Sequence, residues 1–379
     1  MGNSRESLMN QLRTRNSLLC SLALAVPTVG ATQTYPPAWH STSTYAIGDQ
    51  VQLNGNVLRA THAVPAGGFK YDDWELWDVR ANTTLLIGTG QTFGSLAAAW
   101  SYAQNARVTD GAYLHFYIDT AHGKFSENFS APFSLDHGSG ARISIMGDVS
   151  SNVTLNFTSS QSNGFMIDTG HCLAVLTNLT ITASSGNYGL YAVGNATIGA
   201  ITGVNFSGFP IFVYADKNAS LTFEANTSWS GFVAAACEAY NGATVSFGIG
   251  FTLNGQLPPG RAGVPGTTNN AGFGLEAYYG GHISAPSCSI KNCSTGVFAH
   301  DFGRMTLDSG TIESNGTYGI LADTGGQVSA ENATITGNGT DILSASGAIV
   351  DAFQADVGSQ NQGGSANGSY IFVGAIGNP

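Results

Sequence analysis

The chain has 379 residues, of which 42% are hydrophobic and only 10% are charged, and it contains 50 glycines. This composition excludes a disordered chain and favours a β architecture with many turns. Its net charge of −11, with 13 basic residues that form no cluster, argues against a nucleic-acid partner, because phosphate binding depends on basic groups.

The cysteines are spaced unlike those of a zinc site. No C-x-x-C pair occurs, and no histidine cluster accompanies them. We therefore expect no metal and no other cofactor, and interpret the cysteines as small buried side chains. A Cys288–Cys293 pair is the alternative if the chain is exported. The five are Cys20, Cys172, Cys237, Cys288 and Cys293.

Residues 1–31 predict either a secretory signal peptide or a virion-anchoring segment. Three arginines precede Ser17–Ala31, an apolar run that ends in small residues. The alternative is an anchoring helix from about Ser4 to Leu24. The apolar run falls short of the roughly 20 residues of a membrane span, so we expect no membrane insertion.

Residues 34–80 predict a small β module rich in aromatic residues, with a hairpin at Asn54-Gly55. Its pattern resembles the small chitin-binding modules of bacterial chitinases, and similar modules occur in phage tail proteins. That resemblance implies that Trp39 and Trp74 stack on sugar rings, whereas the alternative places them in the module's core. The matching residues are Tyr45, Gly48, Asp49, Val51, Gly55, Ala60 and Trp74.

A helix is predicted over Ser95–Ala106, where apolar residues recur at helical spacing. A strand over Tyr113–Ile118 follows it. The opening Phe93, Leu96 and Ala99 resembles the F-x-x-L-x-x-A start of phage spikes, which implies that this helix caps the open end of a β-helix.

Residues 85–350 contain an internal repeat. A short apolar motif recurs seven times, with its final residues 23, 24, 38, 22, 23 and 22 positions apart. The one long step contains Asn254–Ala271, which we interpret as a surface loop. The seven final residues are Ala192, Ala215, Ala239, Ala277, Ala299, Ala322 and Ser344.

Two further apolar pairs follow each motif, which makes three short strands in about 23 residues. This spacing predicts an all-β fold, a right-handed parallel β-helix with three strands per coil. Residues 351–379 are interpreted as a C-terminal tail or cap.

Stacked coils align equivalent residues into ladders about 4.8 Å apart. If the repeated alanines point inward, the residues on either side of them point outward and share one face. Acidic groups beside aromatic rings favour sugar binding, and two adjacent carboxyls can act as acid and base in glycoside hydrolysis. The catalytic candidates are Glu238, Glu276, Asp216, His300 and Asp323. The sugar-binding candidates are Tyr214, Tyr240, Tyr278, Arg261, Trp39 and Trp74.

Three interpretations of that face stay open: catalysis, sugar binding without catalysis, and a solvated face with no ligand. The motifs of polygalacturonases and the calcium cluster of pectate lyases are absent. His137, in a glycine-rich turn, is interpreted as structural.

The order of segments resembles that of bacteriophage tail-spike and tail-fibre proteins with a pectate-lyase-like β-helix. That resemblance implies a homotrimer on the virion tail that binds, and in some cases depolymerises, a host polysaccharide. The alternatives are a secreted bacterial carbohydrate-active enzyme, either a lyase or a hydrolase, and a structural β-helix without a ligand.

Overall fold

The computed structural model describes residues 36–158, 163–184, 186–225, 227–256, 271–358, 362–365 and 368–373. The body of the molecule is an all-β parallel solenoid of about nine coils, with 6% helix. The predicted parallel β-solenoid is therefore confirmed. The predictions for residues 1–31 and for Arg261 fall outside the described residues.

The N-terminal region is a small sheet joined to the first coil. Strands β1, β2 and β3 form an antiparallel meander, and β3 continues it by pairing in parallel with β5. Asn54 and Gly55 make the predicted hairpin turn, both with positive φ. The strands of this sheet are β1 (Gln50–Leu53), β2 (Asn56–Ala60), β3 (Trp74–Val79) and β5 (Arg107–Val108). Strands β4 (Thr83–Ile87) and β6 (Leu114–Ile118) lie between and after them in the chain and belong to the solenoid.

The predicted helix is present but shorter, spanning Leu96–Ala103 (α1). The side chain of Ser95 caps its N-terminus, and the Glu127 carboxylate accepts hydrogen bonds from its first two amide groups. Its buried Trp100 packs against aromatic rings of the first coils. The other helical elements of the described residues are three single 3-10 turns: η1 (Tyr71–Asp73), η2 (Gly140–Arg142) and η3 (Ser150–Asn152). No helix in the described ranges has the length and apolar character of a membrane span.

The remaining strands wind along the solenoid. In its first half they are β7 (Phe125–Phe129), β8 (Phe133–Ser134), β9 (Ile143–Gly147), β10 (Val153–Phe157), β11 (Phe165–Ile167), β12 (Cys172–Thr177), β13 (Thr180–Ala183), β14 (Tyr188–Val193), β15 (Thr197–Thr202), β16 (Asn205–Ser207), β17 (Ile211–Asp216), β18 (Ser220–Phe223), β19 (Ser228–Ser230), β20 (Ala235–Ala239), β21 (Thr244–Phe247) and β22 (Thr252–Asn254). In its second half they are β23 (Ala271–Ala277), β24 (His282–Ser284), β25 (Ser289–Lys291), β26 (Cys293–Ala299), β27 (Arg304–Thr306), β28 (Thr311–Glu313), β29 (Tyr318–Ala322), β30 (Gln327–Ser329), β31 (Thr334–Thr336), β32 (Thr340–Ser344), β33 (Ile349–Asp351), β34 (Asp356–Val357), β35 (Gln362–Ser365) and β36 (Tyr370–Phe372).

Four parallel sheets make up the walls. The ten-stranded sheet has the order β35-β32-β29-β26-β23-β20-β17-β14-β11-β8. The twelve-stranded sheet has the order β36-β33-β30-β27-β24-β21-β18-β15-β12-β9-β6-β4. Two smaller sheets contain β7, β10, β13 and β16, and β19, β22, β25, β28, β31 and β34. Each strand therefore pairs with the equivalent strand of the next coil.

The repeated alanines lie directly above one another. Ala192 pairs with Ala215, Ala215 with Ala239, and the series continues in register to Ser344. All seven side chains are fully buried. They lie beside inward rows of Leu, Ile and Val, so the core fills the inside of the coil.

The alternation of inward and outward residues can be tested at two adjacent positions. Ile320 is fully buried, whereas Leu321 points outward and is half-buried. We expect Ile320→Ala to lower the free energy of unfolding by about 2–5 kcal/mol, because it leaves a cavity in the core. Leu321→Ala, the matched control, should cost about 1 kcal/mol. Chemical denaturation measures both, and equal losses would contradict the alternation.

Candidate functional site

The two predicted outward rows run side by side on the ten-stranded sheet. Glu238 of β20 pairs with Glu276 of β23, and Tyr214 and Phe298 flank them on the neighbouring strands. Backbone hydrogen bonds from one coil to the next fix the second row in the same register. That row contains Val193, Asp216, Tyr240, Tyr278, His300 and Asp323.

The two glutamates are covered, although their side chains leave the outer face of the strand. Glu238 is 8% exposed and Glu276 is 4% exposed. The rings of Tyr240 and Tyr278 stack at 4.7 Å with an interplanar angle of 4°. The Tyr278 side chain also makes a hydrogen bond to Glu276. The glutamate pair therefore does not lie on an open, solvated face, which was one of the three interpretations of the sequence.

The burial of the two carboxyls controls their protonation. Loss of solvation, together with the negative charge of Glu276, raises the pKa of Glu238 to about 8. Loss of solvation raises the pKa of Glu276 to about 7, against the lowering effect of the Tyr278 hydrogen bond. Because adjacent carboxyls titrate as a pair, the two hold a proton between them near neutral pH.

His300 closes one side of the pair. Its ring stacks on Phe298 with centroids 4.3 Å apart, and it also contacts Tyr278. Burial lowers the pKa of His300 to about 4, against the opposing charge of Asp301. The imidazole is therefore neutral at pH 7.

Two contacts of the His300 ring define its tautomer. Nδ1 lies 3.2 Å from the Asp301 carboxylate, so the proton of the neutral ring belongs on Nδ1. Nε2 then presents a lone pair 4.0 Å from Glu276. This Nε2 is buried and has no hydrogen-bond partner among the described residues.

A run of tyrosine rings extends from the pair along the sheet. Tyr191 and Tyr214 stack at 5.3 Å with an interplanar angle of 6°, and Tyr214 continues to Tyr240 at 5.3 Å. Tyr188 packs on Tyr214 at 4.8 Å. The two rows of outward residues predicted from the sequence do not include Tyr188 or Asp301. Tyr188 lies three residues before its row, and Asp301 follows the row in the turn.

Asp216 and Asp323, the other two acidic candidates, stabilise turns of the backbone. Asp216 accepts hydrogen bonds from the Lys217 amide and the Asn241 side chain. Asp323 accepts one from the amide of Thr324. Both carboxylates belong to the predicted row, but neither is part of the glutamate pair.

In the small module, Trp74 is 2% exposed and packs against Tyr45 and Phe69. It belongs to the module's core, the second of the two alternatives, and its ring is not open to a sugar. Trp39 is half-buried and meets Phe69 edge-on.

One group of side chains has the composition of a metal site. Ligand atoms of Asp136, Asp168 and His171 lie within 4.8 Å of one another. Asp136 accepts a hydrogen bond from the Asp168 amide, and His171 Nδ1 donates to the Asp168 carbonyl. These hydrogen bonds stabilise a turn, and this explains why the three side chains lie close together.

His137 is structural, as interpreted from the sequence. It is buried, its Nδ1 accepts a hydrogen bond from the Ser139 amide, and its Nε2 donates to the Ala103 carbonyl of α1. No disulfide joins any of the four cysteines in the described ranges, so Cys288 and Cys293 are not bonded to each other.

No protein-family model, no curated protein and no solved structure matches this chain.

The raised pKa of Glu238 predicts a pH-dependent stability. Its folded pKa of about 8 lies above the ordinary value of 4.5, so the folded state binds the proton more tightly. The resulting stability is full below pH 4.5 and is lost as the pH rises through 8. We expect Glu238→Gln to remove this loss and raise the stability at high pH by on the order of a few kcal/mol.

Thermal melting at several pH values measures the effect. Glu224→Gln is the control, because Glu224 is exposed and lies away from the pair. A constant difference in Tm between Glu238→Gln and the unsubstituted protein, from acidic to alkaline pH, would contradict the assignment.

Proposed function

We propose that this chain binds polysaccharide along the outer face of the ten-stranded sheet. The observation that carries the proposal is the continuous run of tyrosine rings from Tyr191 to Tyr278 beside a pair of carboxyls. Aromatic rings bind the C–H faces of sugars, and carboxyl groups accept hydrogen bonds from sugar hydroxyls. Rings that repeat coil after coil suit a polymer better than a single small ligand.

Binding to the tyrosine face can be tested with two alanine variants. We expect Tyr240→Ala and Tyr278→Ala each to weaken glycan binding by about 3- to 10-fold, the loss of roughly 1 kcal/mol of ring contact. A glycan array identifies a ligand, and titration calorimetry then measures its affinity. Tyr113→Ala is the control, because Tyr113 is exposed on another part of the molecule. Unchanged binding in both site variants would refute the tyrosine face.

Glycoside hydrolysis is a second candidate function, favoured by the shared proton of Glu238 and Glu276. In this proposal Glu238, with the higher pKa, donates a proton to the leaving oxygen. Glu276, oriented by Tyr278 and His300, attacks the anomeric carbon as the bond to the leaving oxygen breaks. Water, deprotonated by Glu238, then hydrolyses the bond between the sugar and Glu276. Equivalent residues on neighbouring strands lie about 4.8 Å apart, close to the carboxyl separation of retaining enzymes.

This mechanism predicts the result of two substitutions. We expect Glu238→Gln and Glu276→Gln each to reduce cleavage by at least about 100-fold, because each removes an acid–base or nucleophilic group. Binding of the polysaccharide should persist. Reducing-end assays on capsular and structural polysaccharides measure cleavage, and proton NMR determines whether the anomeric configuration is retained. Glu224→Gln is the control. Normal cleavage by both site variants would show that cleavage occurs at another site.

We also propose the finer architecture: a right-handed coil with three strands, a repeat of about 23 residues, and α1 as its cap. The stacked parallel sheets and the buried face of α1 support it. With this architecture we propose a homotrimer on a virion tail, for which the resemblance to tail spikes is the support. Light scattering of the purified protein tests the trimer.

The alternative for the biological setting is a secreted bacterial carbohydrate-active protein. N-terminal sequencing of the native protein distinguishes the two settings. A mature chain that starts at Thr32 indicates export, and an intact N-terminus supports a virion component. A structural solenoid without a ligand is the third alternative, and binding to any glycan excludes it.

A further inference from the structure

A groove of about 470 Å³ lies on the outer face of the twelve-stranded sheet, apart from the tyrosine and glutamate face. Its floor is made by outward side chains of four consecutive strands, from β24 to β33. The polar residues that line it are His282, Arg304, Thr306, Gln327, Ser329 and Asp351.

Arg304 is the positively charged residue among those that line this groove. Its side chain is exposed, and no carboxylate of the described residues lies within ion-pair distance of it. This is unusual in a chain with 24 acidic and 13 basic residues. The other arginines with described side chains, at 59, 80, 107 and 142, all pair with a carboxylate.

The neighbours of Arg304 leave its guanidinium available. His282 pairs with it across the strands, and burial together with the Arg304 charge lowers the pKa of His282, so the imidazole is neutral. Asp351 uses its carboxylate to hold the Phe353 amide in the following turn. Gln327, on the next strand, adds an amide beside the guanidinium.

Two aromatic rings continue the groove on the next coil. Tyr370 pairs with Ile349 and Phe372 pairs with Asp351, so both rings extend the rows that form the floor. They stack at 6.2 Å with an interplanar angle of 15°, and they are 58% and 55% exposed. Three strand spacings separate Arg304 from Tyr370, roughly 14 Å. This is the reach of a short oligosaccharide.

We propose that this groove binds an oligosaccharide that carries a carboxylate. The Arg304 guanidinium matches a carboxylate with two parallel hydrogen bonds, and Gln327 bonds to neighbouring hydroxyls. Tyr370 and Phe372 form a platform for the apolar face of the next sugar. The site contains no carboxyl pair and lies on a different sheet from Glu238 and Glu276, so it is a binding site and does not depend on the proposed function of that pair.

A matched pair of ligands tests the proposal: a β-1,4-linked glucuronate trimer and the neutral glucose trimer of the same linkage. Titration of the full chain should detect the glucuronate trimer and at least about tenfold weaker binding of the neutral one. Binding should weaken as salt is added, because the groove is open to solvent. A sulfated glucose trimer shows whether the site requires a carboxylate or accepts any anionic sugar.

Substitutions then assign the binding to this groove. Arg304→Gln should reduce the affinity for the glucuronate trimer at least tenfold, and Phe372→Ala should reduce it several-fold. Lys124→Gln is the control, because it removes one exposed positive charge elsewhere.

Three results would overturn the proposal: no binding of the glucuronate trimer by the full chain, equal binding of the two trimers, or full affinity in Arg304→Gln. A change of oligomeric state in Phe372→Ala, in a protein that binds neither trimer, would instead assign these rings to contact with a second copy of the chain.

Discussion

The structure depends on backbone pairing between equivalent strands of successive coils. Each strand bonds in parallel to the strand one coil away, and the register is the same from Ala192 to Ser344. A residue type that recurs in the repeat therefore meets its equivalent about 4.8 Å away. Ladders of like side chains follow directly, whether they are inward alanines, tyrosine rings or two glutamates.

Ladders of polar residues have different consequences on the two sides of the wall. In the interior, Asn338 accepts a hydrogen bond from the Asn315 amide and donates one to Asp341, so each buried group has a partner. On the outer face, burial leaves Glu238 and Glu276 next to each other, and no lysine or arginine of the described residues forms an ion pair with either carboxyl. The first arrangement stabilises the fold, whereas the second costs stability at neutral pH. A costly group that the fold does not need suggests a functional reason for keeping it.

The sequence predicted the rows of this site but not their environment. The spacing of the repeated alanines was sufficient to place Glu238 beside Glu276 and Tyr240 beside Tyr278, because register in a solenoid follows from the repeat. It could not predict that the tyrosine rings fold over the carboxyls, since that depends on side-chain rotamers. For the same reason the sequence could not decide whether Trp74 lies in the core of the small module or on its surface. The importance of Arg304 also depends on its surroundings, because the repeat does not show which carboxylates lie near it.

The turns between the ten-stranded and the twelve-stranded sheet have unusual residues in the coils that carry Glu276 and His300. At these turns the chain takes positive φ, which Asn195, Asn218 and Asn241 adopt at little cost. The coils that carry Glu276 and His300 instead place Tyr279 and Phe302 there, with φ of 47° and 64°. An aromatic residue in this conformation is strained by on the order of 1 kcal/mol or more, and both rings are largely exposed.

The aromatic rings at these two turns do not pack into the core, because neither is buried. What the turns do is hold residues next to the site: Asp301, also at positive φ, faces Nδ1 of His300, and Tyr279 follows directly after Tyr278. Two adjacent buried carboxyls, a buried imidazole nitrogen with no hydrogen-bond partner among the described residues, and aromatic residues at positive φ are three separate costs. They lie on three successive coils, those of β20, β23 and β26, which also carry the proposed binding face.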